Sequence, residues 1–154
     1  MNERKASIDA KRTTCPLGIY LLDMSDLHTT LKGHCDALVE MLVTHVVTSN
    51  RKLNRNICER FDEMANKLTE KPEDTEAMTT LAEYVQEVKS ATIFTLQEEI
   101  TAAGERIKFL MDHAVLSNED VKVNTTTLKW PEKVTPMFDI AQRRIDEKRI
   151  SAEI

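Results

Sequence analysis

The chain has 154 residues, of which 31% are charged and 41% hydrophobic, with only three Gly and four Pro. That length fits one core, and the scarcity of turn formers excludes a sheet protein of many short strands in favour of a few long helices with few loops. The net charge of −5, from 21 basic and 26 acidic residues, speaks against nucleic acid as a partner, and no run approaches the roughly 18 apolar residues that span a bilayer, which speaks against a membrane.

Residues 1–14 are polar and mixed in charge, with Ala6, Ile8 and Ala10 alternating; they read as the tail of an upstream helix or a frayed end. Thr13 to Leu22 follows basic residues as a signal peptide would, but Pro16 and Gly18 interrupt a short apolar run and no small-residue cleavage pattern follows. Cys15-Pro16-Leu17-Gly18 reads as a turn and Ile19 to Leu22 as a short extended run. Residues 1–22 are thus expected to form a polar N-terminal segment ending in that run, and residues 23–154 a helical bundle.

Asp23 or Ser25 supplies a helix N-cap, with Asp26 in the first turn. Leu27, Leu31, Cys35, Leu38, Leu42 and Val46, then Leu53, Ile57, Phe61, Met64 and Leu68, recur at helical spacing. They predict a first helix over about 24–70, roughly 65 Å long, or a pair of helices if the chain breaks near Ser49 and Asn50. Gly33 costs about 1 kcal/mol inside it without ending it. Pro72 stops the helix, and Asp74 or Thr75 caps the next.

The second helix, predicted over 75–113, carries the clearest apolar seam: Met78, Leu81, Val85 and Val88, then Leu96, Ile100, Ala103, Ile107 and Leu110. Thr92 joins the two blocks with steps of four on either side, a stutter where a bend or a compliant point is expected. On this reading Thr92 faces inward, and Thr92→Leu is expected to raise thermal stability. Ser117 to Asp120 reads as a capped single turn and Asn124 to Thr127 as an extended connector. Pro131 suits the first position of a third helix over 131–152, whose inner face is Val134, Phe138, Ala141, Ile145 and Ala152. The fold class expected is all-α, an antiparallel bundle of three or four long helices.

The chain offers little chemistry. Gly18, Gly33 and Gly104 are scattered, and no phosphate-cradling loop can be drawn through them. His28, His34, His45 and His113 lack metal-ligand spacing; His34 and adjacent Cys35 point about 100° apart on a helix. Cys15, Cys35 and Cys58 read as reduced thiols, the last two on apolar faces. The carboxylates Glu59, Asp62, Glu63, Glu73, Asp74, Glu76, Glu98 and Glu99 fall on outer faces or caps. Ser25, Ser117 and Thr125 to Thr127 have no nucleophile elbow around them. Lys5, Lys11 and Arg12, and Lys148 with Arg149, form short solubilising clusters. No catalytic, cofactor-binding or metal residue is therefore assigned. The candidate structural anchors are the single Trp130, Pro131 beside it, and Phe61, Phe109 and Phe138.

Several stretches together are similar to axonemal dynein heavy chains. Asn56-Ile57-Cys58-Glu59-Arg60-Phe61 and Lys71-Pro72-Glu73-Asp74-Thr75-Glu76 resemble a helix carrying "IC-x-x-[FY]" that leads into a "P-x-[DN]-T-E-E" turn. Leu81 to Val85, Phe109-Leu110-Met111-Asp112 and Leu116 to Asp120 look like the stretches that follow it. Asn124 through Trp130-Pro131-Glu132-Lys133-Val134, then Met137-Phe138, resembles "LN-x-x-x-x-x-WP-x-x-[IV]", with Val123 where the family has Leu. The resemblance covers roughly residues 19–154 and is strongest to inner-arm forms. It implies a piece of the N-terminal tail just before the linker, with the ATPase ring, stalk and microtubule-binding domain absent from it. The implied role is mechanical, in cytoplasm at the axoneme of a cilium or flagellum, with neighbouring tail helices and dynein intermediate or light chains as partners. The competing expectation is a spectrin-like helical spacer or scaffold module.

Overall fold

The computed structural model describes residues 2–9 and 14–153; Ala10, Lys11, Arg12 and Thr13, named above, lie outside them. Helix accounts for 87% of these residues, so the fold is all-α. The chain divides into two compact units, Met1–Val46 and Val47–Ile154.

The first unit holds helix α1 (Asn2–Asp9), strands β1 (Thr14–Leu17) and β2 (Tyr20–Asp23), and the first turns of helix α2 (Ser25–Thr69). The strands pair antiparallel with Leu17 opposite Tyr20 and Pro16 opposite Leu21. The turn expected at Cys15 to Gly18 therefore lies one step later, at Gly18 and Ile19, with Gly18 at φ 61°. Leu17 and Tyr20 close the two-residue loop, so Pro16 sits at the next pair, where its missing N–H faces away from β2. Asp23 accepts hydrogen bonds from the Ser25 N–H at 2.9 Å and the Ser25 hydroxyl at 2.6 Å, opening α2. Lys5 of α1 pairs with Asp36 of α2. Helix α2 is continuous through Ser49 and Asn50.

The second unit is a bundle of α2 from Val47 onward, a middle helix, and helix α5 (Asn118–Glu153). The middle helix has two α-helical parts, α3 (Thr75–Glu87) and α4 (Ile93–His113), joined by one π-helical turn over Val88–Thr92. Asp74 caps α3 by accepting from the Ala77 N–H at 2.7 Å. Side-chain contacts fix the directions. Arg60 meets Glu99 and Asn54 meets Arg106, so α2 and α4 run antiparallel. Arg51 meets Asp120, Cys58 meets Thr127 and Phe61 meets Trp130, a near-constant offset that makes α2 and α5 parallel. The apolar core comprises Ile57, Phe61, Met64 and Leu68 of α2, Leu81, Val85, Val88, Leu96 and Ala103 of the middle helix, and Trp130, Val134, Ala141 and Ile145 of α5.

Two expectations are corrected here. Residues 124–127 are helical, and α5 starts at Asn118 rather than at Pro131. Asp120, Asn124, Thr127, Trp130 and Val134 are all buried and follow one another at steps of three or four, so one inner face runs unbroken through the proline. Pro131 and Pro136 stand inside the helix, where each withholds one main-chain N–H from the carbonyl four residues back. The threonines tolerate helix by folding back onto it: Thr125, Thr127 and Thr135 hydroxyls donate to the Val121, Val123 and Pro131 carbonyls at 2.8–3.0 Å. Ala152 is exposed, off the inner face.

The second correction concerns Thr92, which is exposed, while Ile93 packs against the core. The seam steps from Val88 to Ile93, and the Ile93 N–H donates to the Val88 carbonyl five residues back. A π-turn inserts one residue into a helix and so absorbs the stutter that a run of fours had been drawn to fit.

Candidate functional site

Three features of the structure carry more than generic packing. The first is a polar seam between α2 and α5 in the second unit. Asn50 and Asn54 lie one turn apart on α2 and are both buried. Their Nδ2 groups donate to the single acceptor Asn124 Oδ1, at 3.0 and 2.8 Å. Asn54 Nδ2 also approaches Asn50 Oδ1 at 3.2 Å, and Asn54 Oδ1 faces Arg106 Nη2 at 3.5 Å. Below them Thr127 Oγ1 lies 3.3 Å from Cys58 Sγ. Above them Arg51 grips Asp120 with two parallel bonds of 2.6 and 2.9 Å, the fork geometry that suits guanidinium and carboxylate.

Asp120 is 4% exposed and also receives the Ser117 hydroxyl at 2.8 Å, while its own N–H donates back to Ser117 Oγ at 3.1 Å. The Arg51 bond is the main cause holding its carboxyl far below the usual carboxylate range, against the opposing effect of burial and with help from Ser117. Ser117 thus caps α5, with an acid three residues on as expected, but the turn continues into 36 residues of helix.

The second feature is the aromatic centre. Phe61 is fully buried and stacks on Trp130 with ring centroids 5.3 Å apart and planes 4° from parallel. Lys133 lies over the Trp130 ring at 5.4 Å and Lys89 over Phe138 at 5.7 Å. Phe138 and Pro131 are half-buried, Phe138 packing against the core. Phe109 is 44% exposed and, among the described residues, its ring contact is with the edge of His113, so it stands outside the group that Phe61 and Trp130 form. At the other end of the bundle Arg144 donates to the Thr69 carbonyl and Lys148 to the Glu73 carbonyl at 3.0 Å. Cations so placed satisfy chain ends that a helix C-terminus leaves bare. Lys67 lies over the Tyr84 ring at 4.9 Å, and burial pushes the Tyr84 hydroxyl up.

The third feature belongs to the first unit. The stripe Leu27, Leu31, Leu38 and Leu42 predicted to face inward is 39–55% exposed, and Met41 is 67% exposed. The hairpin presents Leu17, Tyr20, Leu21 and Leu22 in the same way. Such a run of apolar side chains is larger than scattered surface residues and is a candidate interaction surface.

Among the described residues no three or more His, Cys, Asp or Glu gather as metal ligands, and no helix is long and apolar enough to cross a membrane. Glu99 is not a free surface acid but partners Arg60. The polar seam was not anticipated from the sequence. Its signal was present in phase: Asn50 and Asn54 stand four apart, leading into Ile57 and Phe61, and Asp120, Asn124 and Thr127 do the same ahead of Trp130.

No protein-family model matches the chain. Individual relatives do. Dynein axonemal heavy chain 3 of Mus musculus is 32% identical over 122 residues, 79% of this chain. The relatives that this chain matches are axonemal dynein heavy chains. Dynein axonemal heavy chain 12 of Rattus norvegicus is 29% identical over 132 residues, and human dynein axonemal heavy chain 3 is 28% identical over all 154. The chain spans only 3–4% of the length of these dynein heavy chains.

Proposed function

We propose that this chain is a non-catalytic helical segment of a dynein heavy chain, from the N-terminal tail just ahead of the linker in an inner-arm-like subunit. In that role it connects the tail's anchoring to the linker and the ATP-driven motor ring, in the axoneme of a cilium or flagellum. The observation that carries the reading is likeness to axonemal dynein heavy chains across 79–100% of the chain. The exposed stripe of Leu27, Leu31, Leu38 and Leu42 supports it, since a tail segment packs against adjoining helices. Those helices and the dynein intermediate or light chains are the partners proposed. Trp130, Phe61, Phe138 and Pro131 act as structural anchors of the second unit, and Phe109 anchors a contact outside it.

Cross-linking mass spectrometry on isolated axonemes tests the placement. The exposed Lys52 and Lys108 are expected to link to linker and tail residues; links confined to the motor ring, or to no dynein subunit, would refute it. The purified chain is expected to turn over ATP at background. Turnover that persists through repurification would end the non-catalytic assignment.

A further inference from the structure

We infer that the buried amide cluster of Asn50, Asn54 and Asn124 is a register lock, which admits one axial alignment of α5 against α2 at the expense of stability. The need for a lock follows from the inner faces. In the second unit the buried positions of α2 are 50, 54, 57, 61, 64, 65 and 68, and those of α5 are 120, 124, 127, 130, 134, 141 and 145. The α2 set repeats every seven residues apart from Ala65, and the α5 set does so apart from Trp130, which stands one position early. A pair of parallel helices with that repeat re-mates its side chains after a slide of one heptad, about 10.5 Å. Apolar contacts alone discriminate weakly between such alignments.

The amides discriminate strongly. In the observed register Asn124 Oδ1 accepts from both Asn50 and Asn54, within 3.0 Å. After a slide of one heptad Asn124 would be buried against Ile57 and Phe61 with no polar partner, and the two α2 amides would lose their acceptor. Each stranded amide then carries its full desolvation penalty. The Arg51–Asp120 pair one turn above breaks in the same movement, leaving a buried carboxylate without its cation. The lock sits at one end of the helix pair and the Phe61–Trp130 stack in its middle, so polar pairing sets the alignment that the aromatic packing then uses.

The single tryptophan makes the test direct. The whole 154-residue chain is labelled with 5-fluorotryptophan, and its fluorine spectrum is compared with that of the N50L/N54L/N124L variant. The parent is expected to give one line. The variant is expected to melt at or above the parent's temperature and to give two or more lines, or one line broadened by exchange. A variant that stays folded with one line at the parent's position overturns the lock. Asn124→Asp keeps the acceptor that Asn50 and Asn54 share and is expected to retain one line. If the triple leucine variant does not fold, the triple alanine variant is measured in its place; loss of folding in both overturns the proposal, because the amides would then be supplying stability.

Discussion

Deleting Thr92 should stabilise this protein, although removing a residue from the middle of a 39-residue helical stretch normally ruins it. The π-turn over Val88–Thr92 holds one residue more than a regular helix needs. Its removal turns the seam Val85, Val88, Ile93, Leu96, Ile100, Ala103 into unbroken steps of three and four. The i→i+4 ladder closes across the former turn, worth about 1 kcal/mol net for the hydrogen bond regained. For a unit of this size that is a rise in Tm of about 3–6 °C. Deleting exposed Thr101 from the regular part of α4 is the control. It rotates everything beyond it by about 100° and drives Ala103, Ile107 and Leu110 out of the core. The two large side chains alone forfeit roughly 3–6 kcal/mol, much of the stability of an ordinary domain. Thermal melts followed by far-UV circular dichroism compare both with the parent. A Thr92 deletion that melts more than about 5 °C below the parent would refute the insertion and the seam drawn through it.

Thr92→Leu, by contrast, puts a leucine on an exposed position and should change urea-unfolding stability by no more than about 0.5 kcal/mol. Phe61→Ala empties the side of the core that stacks on Trp130; it should cost about 3–5 kcal/mol and visibly shift tryptophan emission. Asp120→Asn is read as a pH profile. Because the folded Asp120 carboxyl is held below its ordinary value of 3.8, its contribution is complete above that value and is lost as pH falls toward the folded pKa. The parent should therefore lose stability below about pH 4 faster than the variant, which should itself be weaker at neutral pH by about 1–3 kcal/mol. Parallel profiles for the two proteins would count against the Arg51–Asp120 pair.

What the sequence made legible was the apolar part of the architecture. Ile57, Phe61, Met64 and Leu68, and Leu81 through Leu110, recur with a period that only a buried helix face explains, and the two helices they belong to follow from it. The first turns of α5 escaped because their inner face is polar: Asp120, Asn124 and Thr127 look like connector residues to any measure of hydrophobic period. Asn124 to Thr127 has the side chains of an extended segment, and tertiary pairing with Asn50, Asn54 and Cys58 overrode that local preference. Pro131 misled for a related reason, since a proline is the best starting residue for a helix and is tolerated inside one only when packing holds both sides. Thr92 was drawn inward because regular steps of four reached it, whereas the π-turn reaches Ile93 instead. The stripe Leu27 to Leu42 was readable as a face, but a stripe does not say whether its own chain covers it.

The two prolines of α5 divide its protection from solvent. Pro131 and Pro136 contribute no amide proton, so the carbonyls of Thr127 and Glu132 receive no main-chain partner from within the helix. Deuterium exchange is therefore expected to rise locally around Pro131 and Pro136, between the end tied down by Asp120 and Asn124 and the end tied down by Ala141 and Ile145.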